Sequence, residues 1–420
     1  MYKITQLANG LTVATAAMPH MASVSLGIWV GVGGRYEPAE LSGASHFIEH
    51  MLFKGTRRRS AKKISEDIEG IGGDLNAYTS EEVTCYFAKG CHDRFEEMLA
   101  VMRDMFFHSL FDSVELEKER GVILEELAMC IDQPQQYVME LLNEVFWPGH
   151  PLGRNIVGSE ETLHALGREH IVGFQREHYV GGNTLITVAG RFDHVALVRC
   201  LEPFARALRP GQRASFTPAP TAQDRPRVKL HTRATEQTQL ALGIRTCSRH
   251  DERRFALRLL NCLLGENMSS RLFQVIREDR GLAYSIGSSL GVFDDTGTVT
   301  ITAGLEAEKL VPTLKLIQKE LKGFIDAAPT MGEVRRARDY LIGQMEIGLE
   351  NTANQMSWIG EQWLGYGKIA PPTAIKDRLF EVKPGQIRAA ARDFFRSDRL
   401  NLALVSPLKS VKGYEQLLTL

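Results

Sequence analysis

Two histidines and a glutamate fall within five residues of each other in Ser42-Gly43-Ala44-Ser45-His46-Phe47-Ile48-Glu49-His50-Met51-Leu52-Phe53-Lys54-Gly55. The segment reads as one helix, with Ser42 placed to cap its start and Gly55 to stop it. At helical pitch Ala44, Phe47, Ile48, Met51 and Leu52 form an apolar stripe, which puts His46, Glu49 and His50 together on the opposite face. Histidines four residues apart set their imidazoles one turn from each other, a separation that one tetrahedral metal ion bridges. Glu49 stands beside them as a base. The order H-x-x-E-H is the H-E-x-x-H zinc helix with its polarity reversed.

A catalytic zinc needs three protein ligands and an open position. Candidates for the third lie on a second expected helix, Asp112 to Leu127, which opens with a capping aspartate and carries a core stripe of Leu116, Ile123 and Leu127. Glu119 and Glu126 are two turns apart on one flank of that stripe, whereas Glu125 points away from the core. Helical phase therefore prefers Glu126 to Glu125. A further segment, Leu75-Asn76-Ala77-Tyr78-Thr79, is strand-like and follows the turn signal Gly72-Gly73. As an exposed edge strand it would accept a substrate backbone as one more strand.

These segments must be carried by a larger framework. The 420 residues are 44% apolar and 24% charged, the composition of folded globular chains. Lys plus Arg number 50 and Asp plus Glu 51, so no net basic field favours nucleic acid or an anionic membrane. Six cysteines without a C-x-x-C pair fit reduced thiols, no apolar stretch is long enough to span a bilayer, and no leader pattern opens the chain. The expectation is a cytoplasmic protein with no nucleic-acid or membrane partner. Gly31-Val32-Gly33-Gly34-Arg35 lacks the spacing of a dinucleotide loop.

Proline, glycine and polar residues replace periodic patterning between Arg209 and Pro226, near the middle of the chain. The flanking halves echo each other at an offset near 215 residues: Ser25-Leu26-Gly27-Ile28 against Ala241-Leu242-Gly243-Ile244, and Phe87-Ala88-Lys89-Gly90 against Ile301-Thr302-Ala303-Gly304. The expected fold class is α+β, as two homologous halves, each a mainly antiparallel sheet with helices packed on one face. Residues 1–210 form the zinc domain, 211–227 a linker, and 228–420 a homologous domain. The latter has Asn261-Cys262-Leu263-Leu264-Gly265 where the first has its H-x-x-E-H.

His46 to Thr56, Leu75 to Ser80 and Glu119-Arg120-Gly121-Val122-Ile123-Leu124-Glu125-Glu126 together resemble the pitrilysin/insulysin metallopeptidases. The likeness is to a branch similar to the mitochondrial processing peptidase β-subunit and half-length bacterial peptidases. The resemblance runs nearly end to end. It implies a third ligand about 75 residues beyond the second histidine, at Glu126, with Glu119 supporting the site from behind. It implies that Asn76, Ala77 and Tyr78 bind peptide by strand addition. Ser269 to Tyr284 is similar to the family's C-terminal signature, which implies substrate contacts from Arg277 and Tyr284.

The function implied is a zinc endopeptidase, one Zn2+ per chain, hydrolysing peptides or extended polypeptide segments. Zinc on His46, His50 and Glu126 would bring the pKa of water towards neutrality, and Glu49 would take the proton as general base. The resemblance also implies pairing of half-length chains, here as a homodimer because this chain carries both the zinc motif and the Arg277/Tyr284 match. The alternatives are a presequence-processing subunit of a heterodimer and a non-catalytic assembly subunit.

Overall fold

The computed structural model describes residues 2–420. The first half contains β1 (Tyr2–Gln6), β2 (Thr12–Ala17), β3 (Ser23–Val30), α1 (Ala44–Leu52), α2 (Ala61–Glu69), β4 (Asp74–Thr79), β5 (Thr84–Cys91), α3 (Phe95–His108), α4 (Ser113–Asp132), α5 (Pro134–Phe146), α6 (Glu160–Ala165), α7 (Arg168–His178), β6 (Thr184–Gly190) and α8 (His194–Ala207). The second contains β7 (Arg227–Thr232), β8 (Thr238–Thr246), α9 (Arg254–Asn261), β9 (Ser285–Val292), β10 (Gly297–Leu305), α10 (Leu310–Asp326), α11 (Met331–Gly348), α12 (Thr352–Tyr366), α13 (Pro372–Glu381), α14 (Pro384–Phe394), β11 (Leu400–Ser406) and α15 (Tyr414–Leu417). No helix among the described residues is long and apolar enough to cross a membrane.

The two sheets share one topology. The first runs β1-β2-β6-β3-β5-β4 and the second β7-β11-β8-β10-β9, so each strand from β2 to β6 has a counterpart and β1 is the extra one. In each sheet one neighbouring pair is parallel, β2 with β6 and β7 with β11, and the rest are antiparallel. This is the duplicated, mainly antiparallel α+β arrangement that the echoes indicate.

The strands bury both faces. Along β3, Val24, Leu26, Ile28 and Val30 enter a core with α1, α3, α7 and α8, as alternation requires. The intervening Ser25, Gly27 and Trp29 are buried too, because α12 lies on that second face with Met356 and Ile359 against Trp29. The hydroxyl of Thr352 is hydrogen-bonded with those of Ser23 and Ser25 at 3.2 and 3.0 Å. The second sheet has the equivalent cover in α5, whose Phe146 packs with Ala241, Ala403 and Val405. Each fully buried apolar side chain in these layers contributes roughly 1.5–3 kcal/mol.

Consequently the compact units are discontinuous in sequence. One comprises Met1–Ala128, Arg154–Thr217 and Glu346–Pro371; the other comprises Met129–Gly153, Pro218–Met345 and Pro372–Leu420. The segment 211–227 separates the two sheets, but it does not separate the two units. The physical reason is that α5 and α12 each bury their apolar face on the sheet of the opposite half. All six cysteines are free thiols.

Candidate metal centre

The histidine helix is α1, shorter at both ends than the sequence suggests. Its N-cap is Gly43, in a left-handed conformation at φ 96°, and not Ser42. No side chain of the helix closes the first turn; the buried carboxylate of Glu37 accepts from the amides of Gly43 and Ser45 at 2.7 Å each. A Cβ on Gly43 would come within 2.5 Å of the Val157 carbonyl oxygen, which adds a packing reason for glycine. At the other end Phe53 caps the helix, and Gly55 sits beyond it at φ 111°. Ser109 donates to the Met51 carbonyl at 2.9 Å, and the Leu110 amide to that of Gly55 at 3.1 Å. Ala44, Phe47, Ile48, Met51 and Leu52 are buried, which fixes the rotation of α1 and presents His46, Glu49 and His50 together.

The glutamates come from α4. Asp112 caps it, accepting from the amides of Val114 and Glu115, and Leu116 and Ile123 hold its core face. Glu119 is buried, Glu126 half-exposed and Glu125 exposed, the order that helical phase demands. Glu126 Oε2 lies 3.7 Å from His46 Nε2 and 3.5 Å from His50 Nε2. One ligand atom from each of these three residues falls within 4.8 Å of the others.

Behind them, His50 Nδ1 donates to Glu119 Oε2 at 3.1 Å, which fixes the tautomer and leaves Nε2 with a free lone pair facing Glu126. The other Glu119 oxygen accepts from Lys54 Nζ at 2.7 Å. Burial, with His50 adding to it, lowers the His46 imidazole from its ordinary value to about 4. His46 is therefore neutral near pH 7, and its Nδ1 is buried without a hydrogen-bond partner. Glu49 is raised by burial, against a hydrogen bond from Thr79 and the nearby His50, with Glu126 adding to the rise. Thr79 Oγ1 donates to Glu49 Oε2 at 2.5 Å.

Two imidazoles and one carboxylate form a donor set that suits zinc, three ligands leaving one position open. His46, His50 and Glu126 fit the ion. Two contributors were missed by sequence reasoning, Lys54 and Thr79. A signal for each exists: Lys54 is four residues beyond His50, and Thr79 shares a strand face with Leu75 and Ala77.

Of the expected substrate contacts, Asn76, Ala77 and Tyr78 lie on β4, which is the outer strand of its sheet. Ala77 faces the α1 side, while the Tyr78 ring turns to the other face, 6.0 Å from Trp29. Asn76 Oδ1 accepts from the Ala77 amide at 2.8 Å. Arg277 and Tyr284 belong to the other unit, where the Arg277 guanidinium lies 4.8 Å from the Phe273 ring and 5.8 Å from that of Tyr284. Tyr284 is 78% exposed.

Comparison with known proteins places this arrangement. Residues 12–160 match the family described as Insulinase (Peptidase family M16), and residues 165–341 match the Peptidase M16 inactive domain. A relative from Streptomyces coelicolor, named an uncharacterized zinc protease, is 38% identical over 96% of this chain and 89% of its own. The chain belongs to the insulinase family of peptidases. Another insulinase-family relative, the uncharacterized zinc protease YmxG of Bacillus subtilis, is 36% identical over 95% of this chain and 97% of its own. The insulinase-type fold extends to a solved protease from Helicobacter pylori, with a TM-score of 0.91 at 20% identity, covering 97% of this chain and 99% of that one. A solved peptidase M16 inactive domain from Pseudomonas fluorescens gives 0.90 at 19%, over 97% and 99%.

Proposed function

We propose that this insulinase-family chain is a zinc endopeptidase that hydrolyses peptides or extended polypeptide segments. The observation that carries the reading is the convergence of His46, His50 and Glu126 on one point, with Glu49 on the same helix face anchored by Thr79. His46, His50 and Glu126 hold one zinc ion per chain. When bound, the ion supplies Lewis acidity that polarises a peptide carbonyl and makes water acidic.

The protein's own groups do the rest. Glu119 orients His50 through Nδ1, and Lys54 holds the other oxygen of the buried Glu119 carboxylate. The carboxylate of Glu49 takes a proton from the attacking water and returns it to the leaving amine nitrogen. The backbone of Asn76, Ala77 and Tyr78 pairs with the substrate as an added strand, a recognition that reads extended conformation before sequence. Arg277 and Tyr284 hold the peptide from the second half of a neighbouring chain in a homodimer.

The test is hydrolysis of an internally quenched, unstructured peptide by the purified chain, Glu49→Gln and Glu126→Gln. Glu49→Gln should lose turnover and keep its zinc; Glu126→Gln should lose both. Full activity in Glu49→Gln would remove the base from the reading, and undiminished zinc in Glu126→Gln would remove the ligand.

A further inference from the structure

The second sheet is one strand short of the first. In the first, β2 lies between β6 and β1, with β1 antiparallel from Tyr2 opposite Ala16 to Gln6 opposite Thr12. Its counterpart β7 pairs with β11 alone among the described residues. Burial records the difference: Thr12–Ala16 are all buried, whereas Arg227–His231 are all half-exposed. An open edge of this kind offers a row of backbone donors and acceptors to an incoming strand.

An open groove of about 600 Å³ runs beside that edge. Val228, Leu230 and Thr232, alternate residues and so on one face of β7, form one wall, and the segment from Lys409 into α15 forms the other. Lys409 and Lys412 are exposed and have no ion-pair partner among the described residues, and Glu415 is the one acidic group in the lining.

We infer that β7 and this groove are a second peptide-binding site, taking an extended polypeptide segment whose apolar residues are flanked by acidic ones. The segment occupies the place β1 holds in the first sheet. Its backbone pairs with β7, alternate side chains lie against Val228 and Leu230, and its carboxylates meet Lys409 and Lys412. Lysines on the wall facing the open strand favour acidic segments over other extended chains, which gives the site its selectivity. That the occupant is a peptide rests on the peptidase reading; the unfilled edge does not. Anchoring a long substrate away from its scissile bond raises its local concentration without any new catalytic contact.

The test is amide hydrogen exchange on the Glu49→Gln chain, with and without an unstructured peptide of alternating valines bounded by glutamates. Slowed exchange in 227–232 on adding peptide is the expected result, with or without slowing in β4. Slowing in β4 alone would overturn the second site while leaving the peptidase reading intact, and no slowing at all would also overturn it. Protection of 227–232 that grows with protein concentration without peptide would assign the edge to a second copy and overturn the proposal. Two controls separate strand pairing from charge. The Lys409→Glu/Lys412→Glu chain should bind the peptide about three- to tenfold more weakly, and N-methylation of alternate peptide amides should abolish the protection. An N-methylated peptide that protects 227–232 equally well would refute pairing through the backbone.

Discussion

Thr79 donates a 2.5 Å hydrogen bond to Glu49, joining the last residue of an edge strand to the carboxylate on the histidine helix. One Glu49 oxygen is thereby held, and the other is left to act. Because β4 is the strand proposed to receive the peptide, substrate and base are positioned by the same backbone. Thr79→Val should lower kcat about 10- to 100-fold, since a misplaced base costs that much. KM and zinc content should change little, and Thr79→Ser should restore most of the loss. Steady-state kinetics on a quenched peptide decide it: a fall confined to KM would mean that Thr79 serves the strand and not the base.

Lys54 has a comparable role one step further out. Its ammonium is 2.7 Å from a Glu119 carboxylate that is only 5% exposed, and that carboxylate holds His50 by Nδ1. Removing the ammonium leaves the buried carboxylate with the His50 imidazole as its one other side-chain partner among the described residues, and groups behind a ligand typically influence metal affinity by 10–100-fold. Lys54→Met should therefore weaken zinc binding about tenfold in competition with a chelator. Lys54→Arg should recover part of it. Equal affinity in Lys54→Met and the parent chain would show that Glu119 orients His50 unaided.

Asp104 on α3 ties down the loop that follows the histidine helix. Burial alone would raise its carboxyl, but hydrogen bonds from Thr56 at 2.7 Å, Arg59 at 2.8 Å and His108 at 3.0 Å outweigh burial and hold it below the ordinary range. A carboxyl whose folded pKa is depressed binds fewer protons folded than unfolded. Its stabilisation is present above the unfolded value of about 3.9 and is lost as pH falls through the folded value. Asp104→Asn should cost about 2 kcal/mol at pH 7 by removing a buried charge from its partners. The difference in stability between the two chains should shrink as pH drops below about 4. Urea unfolding across that range would show it, and a difference independent of pH would refute the assignment.

What was legible in the sequence follows the reach of each signal. His46, Glu49 and His50 share a face because one helix carries all three, and the stripe from Ala44 to Leu52 announces its rotation locally. Glu126 could be preferred to Glu125 for the same reason on α4. The bond from Thr79 to Glu49 joins a strand to a helix thirty positions away, so periodicity gives the face of each and not their meeting. The cap on α1 was misread because Glu37 reaches in from outside the helix, displacing the local candidate Ser42. The exchange of α5 and α12 was invisible for a deeper reason: an apolar helix face states that it needs cover, without stating which sheet supplies it. Yet the echo that revealed the duplication contains its trace. Gly27 and Gly243 are equivalent, and each lies where a helix from the opposite half seats on its sheet.

That trace is open to a direct test at Gly243. A Cβ built there would stand 2.1 Å from the Phe146 ring of α5, and the three nearest atoms all belong to that ring. Phe146 is almost fully buried, so the ring has little room to withdraw. Gly243→Ala should destabilise by about 1–3 kcal/mol through overpacking, and Phe146→Leu by about 1–2 kcal/mol through the volume it leaves empty. The two defects are complementary, because the added methyl enters the space that the missing ring atoms vacate. The double variant should accordingly be more stable than the sum of the single effects, by a coupling of about 1 kcal/mol. Strict additivity in chemical denaturation would mean that α5 does not seat on β8 at this glycine, and the shared reason for Gly27 and Gly243 would fall with it.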